Sequence, residues 1–263
     1  MNNKQLIKNV WEHNLHQEIA NIRQIIKKYN YVAMDTEFPG VVAKPIGSFK
    51  TPSNFAYQQL RCNVDILNLI QLGISLSDGE GNRPEPVHTW QFNFKFNLNL
   101  DMYSQESIDL LLMANIDFKE HLERGIELTQ FGALLVTSGL VMSKKIQWIG
   151  FHCAYDFAYL IKILTGNAMP EKETNFYTYL SILFPSFYDF KYLIRNSEYM
   201  KKGLQEISNS LGAIREGTAH QAGSDALLTA DVFFKSQESL LNDIQIIEGM
   251  NKLYGIEQCM SEK

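Results

Sequence analysis

Two acidic residues with a spacing suited to metal chemistry stand at the end of an apolar segment. Asp35 and Glu37 follow the run Tyr31-Val32-Ala33-Met34, which is typical of a buried strand. Residues two apart on a strand point to the same side, so both carboxylates project together. Like charges at that separation resist joint ionisation unless a cation compensates them, and metal binding is the economical explanation. The same spacing in Asp78-Gly79-Glu80 lies in a glycine-rich turn, so strand context, not spacing, distinguishes the first pair.

Two further acids and a histidine have contexts that suit the same chemistry. Asp156 lies on the apolar face of a helix predicted over residues 155–164, where a carboxylate is costly unless it is paired or binds a metal. The alternative is an acid favoured near a helix N-terminus by the helix dipole. Asp225 repeats the pattern on the helix predicted over residues 222–235. His220 lies in the loop before that helix and suits a general base at neutral pH; the alternative is an ordinary polar surface residue.

The four acids have no thiolate partners, which favours a hard cation such as Mg²⁺ or Mn²⁺ over zinc. The chain carries a net charge of −5, so its overall field does not attract a polyanion and any nucleic-acid binding must be local. Two divalent ions would neutralise four carboxylates and let the site accept a phosphodiester. Two-metal sites hold both the attacking and the leaving oxygen of a phosphoryl displacement. The inferred chemistry is phosphodiester hydrolysis.

The elements that must position these residues alternate between helical and strand periodicity. The sequence predicts an amphipathic helix over about residues 6–28, buried strands over 31–37 and 146–151, and a hairpin over 66–98 whose second strand has one buried face. Further helices are predicted near 104–113, 117–124, 127–138, 155–164, 173–183, 204–211, 222–235 and 238–253, with a short strand around 188–194. No repeat or linker divides the chain. The pattern predicts one α/β domain over residues 1–263.

Composition restricts the class of protein further. The chain has 263 residues, of which 45% are hydrophobic and 20% charged, so a globular core forms without disulfide or metal staples. The longest uncharged apolar run, 131–142, is shorter than the roughly 18 residues of a membrane span. Cys62, Cys153 and Cys259 match no zinc-ligand spacing, and no secretory signal is visible. We expect a soluble, intracellular protein that does not bind a membrane.

Three motifs around the acids carry a family pattern. Residues 34–42 (MDTEFPGVV), 151–160 (FHCAYDFAYL) and 220–229 (HQAGSDALLT) closely resemble the motifs of the CCR-NOT-associated deadenylases, which belong to the DEDD class of RNase-D-like exonucleases. Residues 68–73 (NLIQLG) and 203–206 (GLQE) also resemble the family, so the resemblance covers nearly the whole chain. It implies a ribonuclease-H-like fold, a mixed sheet flanked by helices. It also implies stepwise 3′-to-5′ removal of adenylates from messenger RNA tails with release of AMP.

The resemblance implies a role for each candidate residue. Asp35 bridges two divalent cations, Mg²⁺ or Mn²⁺. Glu37 and Asp225 hold the ion next to the nucleophilic water, and Asp156 supports the second ion. His220 takes the proton from that water. The implied partners are poly(A) RNA, the scaffold subunit of the CCR-NOT complex and a second deadenylase subunit, in the cytoplasm and also in the nucleus.

Two alternatives keep the fold and change the function. A general single-strand exonuclease acting on RNA or DNA would use the same acids, and its rates on adenylate, uridylate and DNA oligomers would be equal. A non-catalytic adaptor would bind a scaffold protein and has no need for so many uncompensated carboxylates. The adaptor gains support if manganese fails to raise the melting temperature, because a ligand that binds only the folded state must stabilise it.

Overall fold

The chain builds one mixed sheet with helices on both faces. The computed structural model describes residues 7–256, and Cys259 lies outside this range. The strands are β1 (Ile7–Val10), β2 (Tyr31–Glu37), β3 (Gln71–Ser77), β4 (Thr89–Asn93), β5 (Gln147–Gly150) and β6 (Phe187–Asp189). The helices are α1 (Leu15–Ile25), α2 (Pro52–Ile66), α3 (Gln105–Met113), α4 (Phe118–Arg124), α5 (Leu128–Thr137), α6 (Ala154–Thr165), α7 (Glu173–Leu183), α8 (Phe190–Leu193), α9 (Leu204–Ser210), α10 (Ala222–Ser239) and α11 (Asp243–Gly249). Over the described range, the strand order is β1-β4-β3-β2-β5-β6.

β2 lies in the middle of the sheet. It pairs antiparallel with β3 along its whole length, from Tyr31 opposite Ser77 to Glu37 opposite Gln71. It pairs in parallel with β5 only as far as Ala33. β3 and β4 are antiparallel, whereas β1 and β4, and β5 and β6, are parallel. The C-terminal part of β2, from Met34 to Glu37, therefore extends beyond the C-terminal end of β5. The chain leaves β5 at this end and continues into α6.

The two faces of β2 are buried in different hydrophobic clusters because successive side chains alternate between faces. Val32 and Met34 pack with residues of α1, α2, α5 and α6. Ala33 packs on the other face with Ile149 and with Leu228 of α10. The sheet is thus the middle layer, with α10 on one side and α6 on the other. Between residues 7 and 256, no helix is both long and apolar enough to cross a membrane.

The predicted N-terminal helix over residues 6–28 is shorter than expected. Residues 7–10 form an edge strand that pairs in parallel with β4, and α1 starts only at Leu15. The break comes from Asn14, whose side-chain oxygen accepts from the backbone N–H of Trp11 and whose amide donates to the carbonyl of Asn9. Local hydrogen bonds of this kind compete with the helix for backbone groups.

Three other predicted elements have different bounds. The first strand of the hairpin, predicted from Ile66, begins only at Gln71, because Ile66 ends α2, a helix that is not among the predicted elements. Pro52 at the start of α2 and the Thr51 side chain, which accepts from the Asn54 backbone N–H, are start signals for that helix.

The strand predicted around 188–194 ends at Asp189, because its carboxylate caps α8 by accepting from the Lys191 backbone N–H. The last helix of 238–253 is divided, with α11 beginning after the cap residue Asn242.

The hairpin strand β4 was predicted to have one buried face, and both of its faces are buried. Trp90 and Phe92 lie in the main core. Gln91 and Asn93, on the polar face, are also shielded from solvent. Their side chains form amide hydrogen bonds with Asn9. Alternation of polar and apolar residues identified the strand but not the layer that covers its polar face.

Candidate active site

β2 places two carboxylates at the end of the sheet that α10 covers. Asp35 and Glu37 share the face of Ala33, because they are two and four residues further along the strand. That face packs against α10. The side chain of Thr36 points to the opposite face. At this end of the sheet, Asp35 and Glu37 face the α10 layer, and the Thr36 hydroxyl faces the α6 layer.

The N-terminus of α10 is docked on this end of the sheet by two glutamine side chains. The Ala222 backbone N–H donates to Oε1 of Gln71 on β3 at 3.2 Å, and the Gly223 N–H donates to Oε1 of Gln91 on β4 at 2.9 Å. These N–H groups belong to the first turn of the helix, which has no partners for them within the helix itself. The glutamines therefore fix where α10 begins, and with it Asp225 in the first turn.

This docking brings Asp225 to the acids of β2. Asp35, Glu37 and Asp225 each offer a carboxylate oxygen, and these three atoms lie within 4.8 Å of one another. Three oxygen donors at such separations fit a hard divalent cation such as Mg²⁺ or Mn²⁺. The resemblance implies that Glu37 and Asp225 share one of two ions with Asp35, which bridges both.

Asp156 approaches from the other layer. It lies in the first turn of α6, is buried, and accepts a hydrogen bond of 2.8 Å from the Thr36 hydroxyl. It is not a member of the three-acid cluster, but its charge raises the pKa of both Asp35 and Glu37. The four predicted acids therefore form one electrostatic unit, with Asp156 at its edge.

The site binds protons unusually strongly. Burial raises the pKa of Asp35 well above its ordinary value, and neighbouring carboxylates raise it further. Burial, followed by the charges of Asp225 and Asp156, raises the pKa of Glu37 to about 8. Burial raises the pKa of Asp156 to about 7, against hydrogen bonds from Thr36 that favour the charged form. Without a compensating cation, the cluster is partly protonated at neutral pH.

His220 lies in the loop between α9 and α10. Its side chain is exposed, and its backbone is left-handed with φ of 61°. Its backbone N–H donates to Oδ2 of Asp225 at 2.9 Å. The histidine and the carboxylate are thus joined through the main chain, and the imidazole stays free to reach a substrate.

Several residues that shape the site were absent from the sequence prediction. Arg215 forms an ion pair of 2.8 Å with Asp225. Gln71 and Gln91 dock the helix that carries this acid, and Thr36 holds Asp156. Only Gln71 and Thr36 lay within stretches that resemble the family.

Other candidates have structural roles. Asp189 was interpreted as structural, and its buried carboxylate accepts the backbone N–H groups of His152, Lys191 and Tyr254, which tie three segments together. Cys153 is buried, and burial raises the pKa of its thiol well above the ordinary value. A neutral buried thiol is unreactive.

The fold and the acidic cluster together define the class of ribonuclease-H-like exonucleases. A structure of exonuclease I is similar over 83% of this chain and 42% of that chain, with a TM-score of 0.57 at 14% identity, which shows a shared fold. The chain belongs to the CAF1 family of ribonucleases, because the family described as "CAF1 family ribonuclease" matches residues 10–131 and 128–233.

Named relatives are similar to most of the chain. The poly(A) ribonuclease pop2 of Schizosaccharomyces pombe is 50% identical over 250 residues, which cover 95% of this chain and 75% of the relative. The CCR4-NOT transcription complex subunit 7 of Caenorhabditis elegans is 45% identical over 241 residues, which cover 90% and 78%.

Solved structures agree with this similarity. The Mg²⁺- and Mn²⁺-bound form of S. pombe Pop2p has a TM-score of 0.91 at 49% identity and covers 95% of this chain and 100% of that chain. A structure of the yeast NOT1 MIF4G domain co-crystallised with CAF1 gives a TM-score of 0.79 at 34% identity, with coverage of 97% and 98%.

Proposed function

We propose that this protein is a poly(A)-specific 3′-to-5′ exoribonuclease that shortens messenger RNA tails and releases AMP. The observation that carries the proposal is the meeting of Asp35, Glu37 and Asp225 within 4.8 Å at the end of the sheet. Placing these carboxylates together costs free energy, as the raised pKa values of Asp35 and Glu37 reflect, and a metal site for hydrolysis accounts for the arrangement. The relative named poly(A) ribonuclease pop2 supports the choice of substrate.

The donor set fits two divalent cations, Mg²⁺ or Mn²⁺. All four acids offer oxygen ligands, and the similar Pop2p structure was solved with Mg²⁺ and Mn²⁺ bound. Asp35, Glu37 and Asp225 would hold one ion, and Asp35 with Asp156 would hold the other. When bound, such ions clamp the attacking and leaving oxygens of a phosphodiester displacement.

The remaining residues position groups and move a proton. The Thr36 hydroxyl stabilises the ionised form of Asp156, which is the form that binds a cation. His220 would take the proton of the attacking water at a ring nitrogen, since its imidazole is exposed and its backbone is tied to Asp225. Proton transfer to a positioned histidine is general base catalysis.

We also propose that the protein acts inside the CCR-NOT complex, docked on the scaffold subunit and beside a second deadenylase subunit. The relative named CCR4-NOT transcription complex subunit 7 and the similar structure of CAF1 with the NOT1 MIF4G domain support this assembly. A location in the cytoplasm, and also in the nucleus, remains a prediction from the resemblance.

The test follows a 5′-labelled RNA that ends in an oligoadenylate tail on a gel, with Mg²⁺, with Mn²⁺ and with a chelator. We expect a metal-dependent ladder that stops at the junction between tail and body and is absent for Asp35→Ala. Asp78→Ala is the matched control, because Asp78 has the same Asp-x-Glu spacing in an exposed turn.

Two results would change the assignment. Equal rates on adenylate, uridylate and DNA oligomers would leave a general single-strand exonuclease. No ladder with any metal, together with no effect of Mn²⁺ on the melting temperature, would favour the non-catalytic adaptor.

A further inference from the structure

An arginine outside the predicted ligand set lies against the acidic cluster. Nη1 of Arg215 is 2.8 Å from Oδ1 of Asp225, and both side chains are only 13% exposed. Its positive charge counteracts the rise in the pKa of Asp35 and of Glu37. Arg215 is therefore part of the electrostatics of the whole site and not a surface ion pair.

The guanidinium is held by three groups from two elements. Nε donates to Oε1 of Gln205 on α9 at 2.6 Å, and Nη1 also lies 3.0 Å from the hydroxyl of Ser224 on α10. The Ser224 hydroxyl in turn donates to the carbonyl of Glu216 at 2.6 Å. A fork of N–H donors held in this way has a fixed position and little freedom to follow a moving partner.

Both oxygens of Asp225 bind the loop that precedes α10. Oδ1 accepts from Arg215, and Oδ2 accepts from the backbone N–H of His220. Each carboxylate oxygen has two lone pairs, so one on each remains for a cation. One carboxylate therefore fixes the start and the end of the segment 215–220 and still offers ligand atoms to the site.

We propose that Arg215 is a positioning residue, which holds Asp225 and the His220 loop in place and gives the loaded site one net positive charge for the substrate phosphodiester. The proposal rests on the proposed function. Four ionised acids and two divalent ions neutralise one another, and the further buried carboxylate near Asp156, that of Asp189, interacts with the ammonium of Lys191, so the charge of Arg215 remains uncompensated. A phosphodiester linkage carries one negative charge, which matches it.

The test compares the full chain with Arg215→Gln, which removes the charge, and Arg215→Lys, which keeps it. On oligoadenylate RNA with saturating Mn²⁺, we expect Arg215→Gln to raise KM about tenfold, through the lost attraction for phosphate. Loosening of the His220 loop lowers kcat about tenfold to a hundredfold. Arg215→Lys restores KM but only part of kcat, because an ammonium does not reproduce the fork of donors.

Two measurements need no turnover. In a calorimetric titration, Arg215→Gln binds Mn²⁺ within about tenfold of the affinity of the unsubstituted chain, because the loss of a positive charge beside a ligand favours the cation while a less fixed Asp225 disfavours it. In hydrogen exchange, the His220 amide exchanges faster in Arg215→Gln, because its acceptor Asp225 is less fixed. These two readouts still test the positioning of Asp225 if the chain proves not to cleave RNA, which would defeat the proposed function.

The matched control is Arg83→Gln. Arg83 forms a partly buried ion pair with Asp231, six residues beyond Asp225 on the same helix, so this variant loses the same charge away from the acids. We expect its KM, kcat and Mn²⁺ affinity to stay at the values of the unsubstituted chain. An unchanged KM in Arg215→Gln, or Mn²⁺ binding weakened by more than about tenfold, would overturn the proposal, since Arg215 would then only build the fold around the ligand.

Discussion

Gly73 of β3 lies so close to Ala222 of α10 that a Cβ added to the glycine would be 1.9 Å from the Ala222 carbonyl oxygen. Gly73 is also the register partner of Asp35 on β2. The absence of a side chain at this position lets the first turn of α10 approach the sheet, and the approach brings Asp225 to Asp35. Gly73 thus sets how closely Asp225 of α10 can approach Asp35 of β2.

The first prediction concerns this contact. Gly73→Ala must move α10 away from the sheet, because the clash is with backbone atoms and no flexible side chain can give way. We expect loss of the Mn²⁺-induced rise in melting temperature and loss of nuclease activity, since Asp225 leaves the cluster. The same variant destabilises the protein by about 1–3 kcal/mol, as overpacked cores do. Thermal unfolding with and without Mn²⁺ measures both effects.

Gly79→Ala is the control for that experiment. An added Cβ at Gly79 would meet the Tyr31 ring at 3.5 Å, an ordinary contact distance. We expect this variant to keep both its Mn²⁺ response and its activity. An active Gly73→Ala protein with a normal Mn²⁺ response would contradict this prediction. It would show that Asp225 still reaches Asp35 and Glu37 when α10 has shifted.

The candidate site was predictable from sequence where local pattern and chemistry coincide. Asp35 and Glu37 end an apolar run, and Asp156 and Asp225 fall on apolar helix faces, so each acid is locally anomalous. Family resemblance then joined positions that are far apart in sequence. The structure adds the physical link, because β2, α6 and α10 meet at one end of the sheet.

The residues that hold the acids in place were not predictable in the same way. Gln71, Gln91 and Arg215 are ordinary polar residues in sequence, and their partners lie on other elements or beyond a loop. The edge strand of residues 7–10 was missed for a related reason. Its pairing with β4 is decided by tertiary contact, and its sequence also fits the start of a helix.

The second prediction is that removing one acid stabilises the metal-free protein. Asp35→Asn removes a carboxylate whose pKa is raised by burial and by the charges of Asp156, Asp225 and Glu37. We expect a higher melting temperature than the unsubstituted chain at pH 8 in chelator, by about 2–4 °C for each kcal/mol gained. Nuclease activity and the Mn²⁺ response are lost together. Asp78→Asn, in the exposed turn, should keep both, and a lower melting temperature for Asp35→Asn would contradict the repulsion argument.

The third prediction concerns the stability of the metal-free protein as a function of pH. The folded-state pKa values of Glu37, about 8, and Asp156, about 7, lie above their ordinary values. The folded protein therefore binds more protons than the unfolded chain between about pH 4 and pH 8. The free energy of unfolding therefore falls as pH rises through this window. The contribution of these two acids to stability is fully present only below the window, where both are protonated.

Denaturant unfolding in chelator, repeated at several pH values, measures that fall. Saturating Mn²⁺ should remove it at the alkaline end, because the cation binds the ionised carboxylates. The affinity for Mn²⁺ should rise over the same range, because Glu37 and Asp156 no longer have to lose a proton when the ion binds. A free energy of unfolding that stays level from pH 5 to about pH 8 without metal would show that these acids are already ionised.

The fourth prediction separates His220 from the metal ligands. His220→Asn keeps a residue that tolerates the left-handed backbone at φ of 61° and keeps the backbone N–H that binds Asp225. We expect kcat to fall about 10²- to 10⁴-fold, as for loss of a general base, while Mn²⁺ still raises the melting temperature to the same extent. A lost Mn²⁺ response would mean that the imidazole contributes to ion binding itself.

The fifth prediction compares two buried threonines. Thr36 donates its hydroxyl hydrogen to Asp156 at 2.8 Å, whereas the buried hydroxyl of Thr229 on α10 has no hydrogen-bond partner within residues 7–256. Thr36→Val removes a hydrogen bond to a charged group and should cost about 1.5–3 kcal/mol of stability. Thr229→Val removes an unsatisfied polar atom and should leave stability unchanged or higher.

The two variants should also differ in how activity depends on pH. Without the Thr36 hydroxyl, the pKa of Asp156 rises further above about 7, so less of this acid is ionised at neutral pH. The rate of Thr36→Val should be most reduced near pH 7 and recover partly in more alkaline solution, because raising the pH ionises Asp156 despite the lost donor. Thr229→Val should follow the profile of the unsubstituted chain. If both variants lost the same activity at every pH, the Thr36 hydroxyl would have no electrostatic effect on Asp156, and its role would be packing alone.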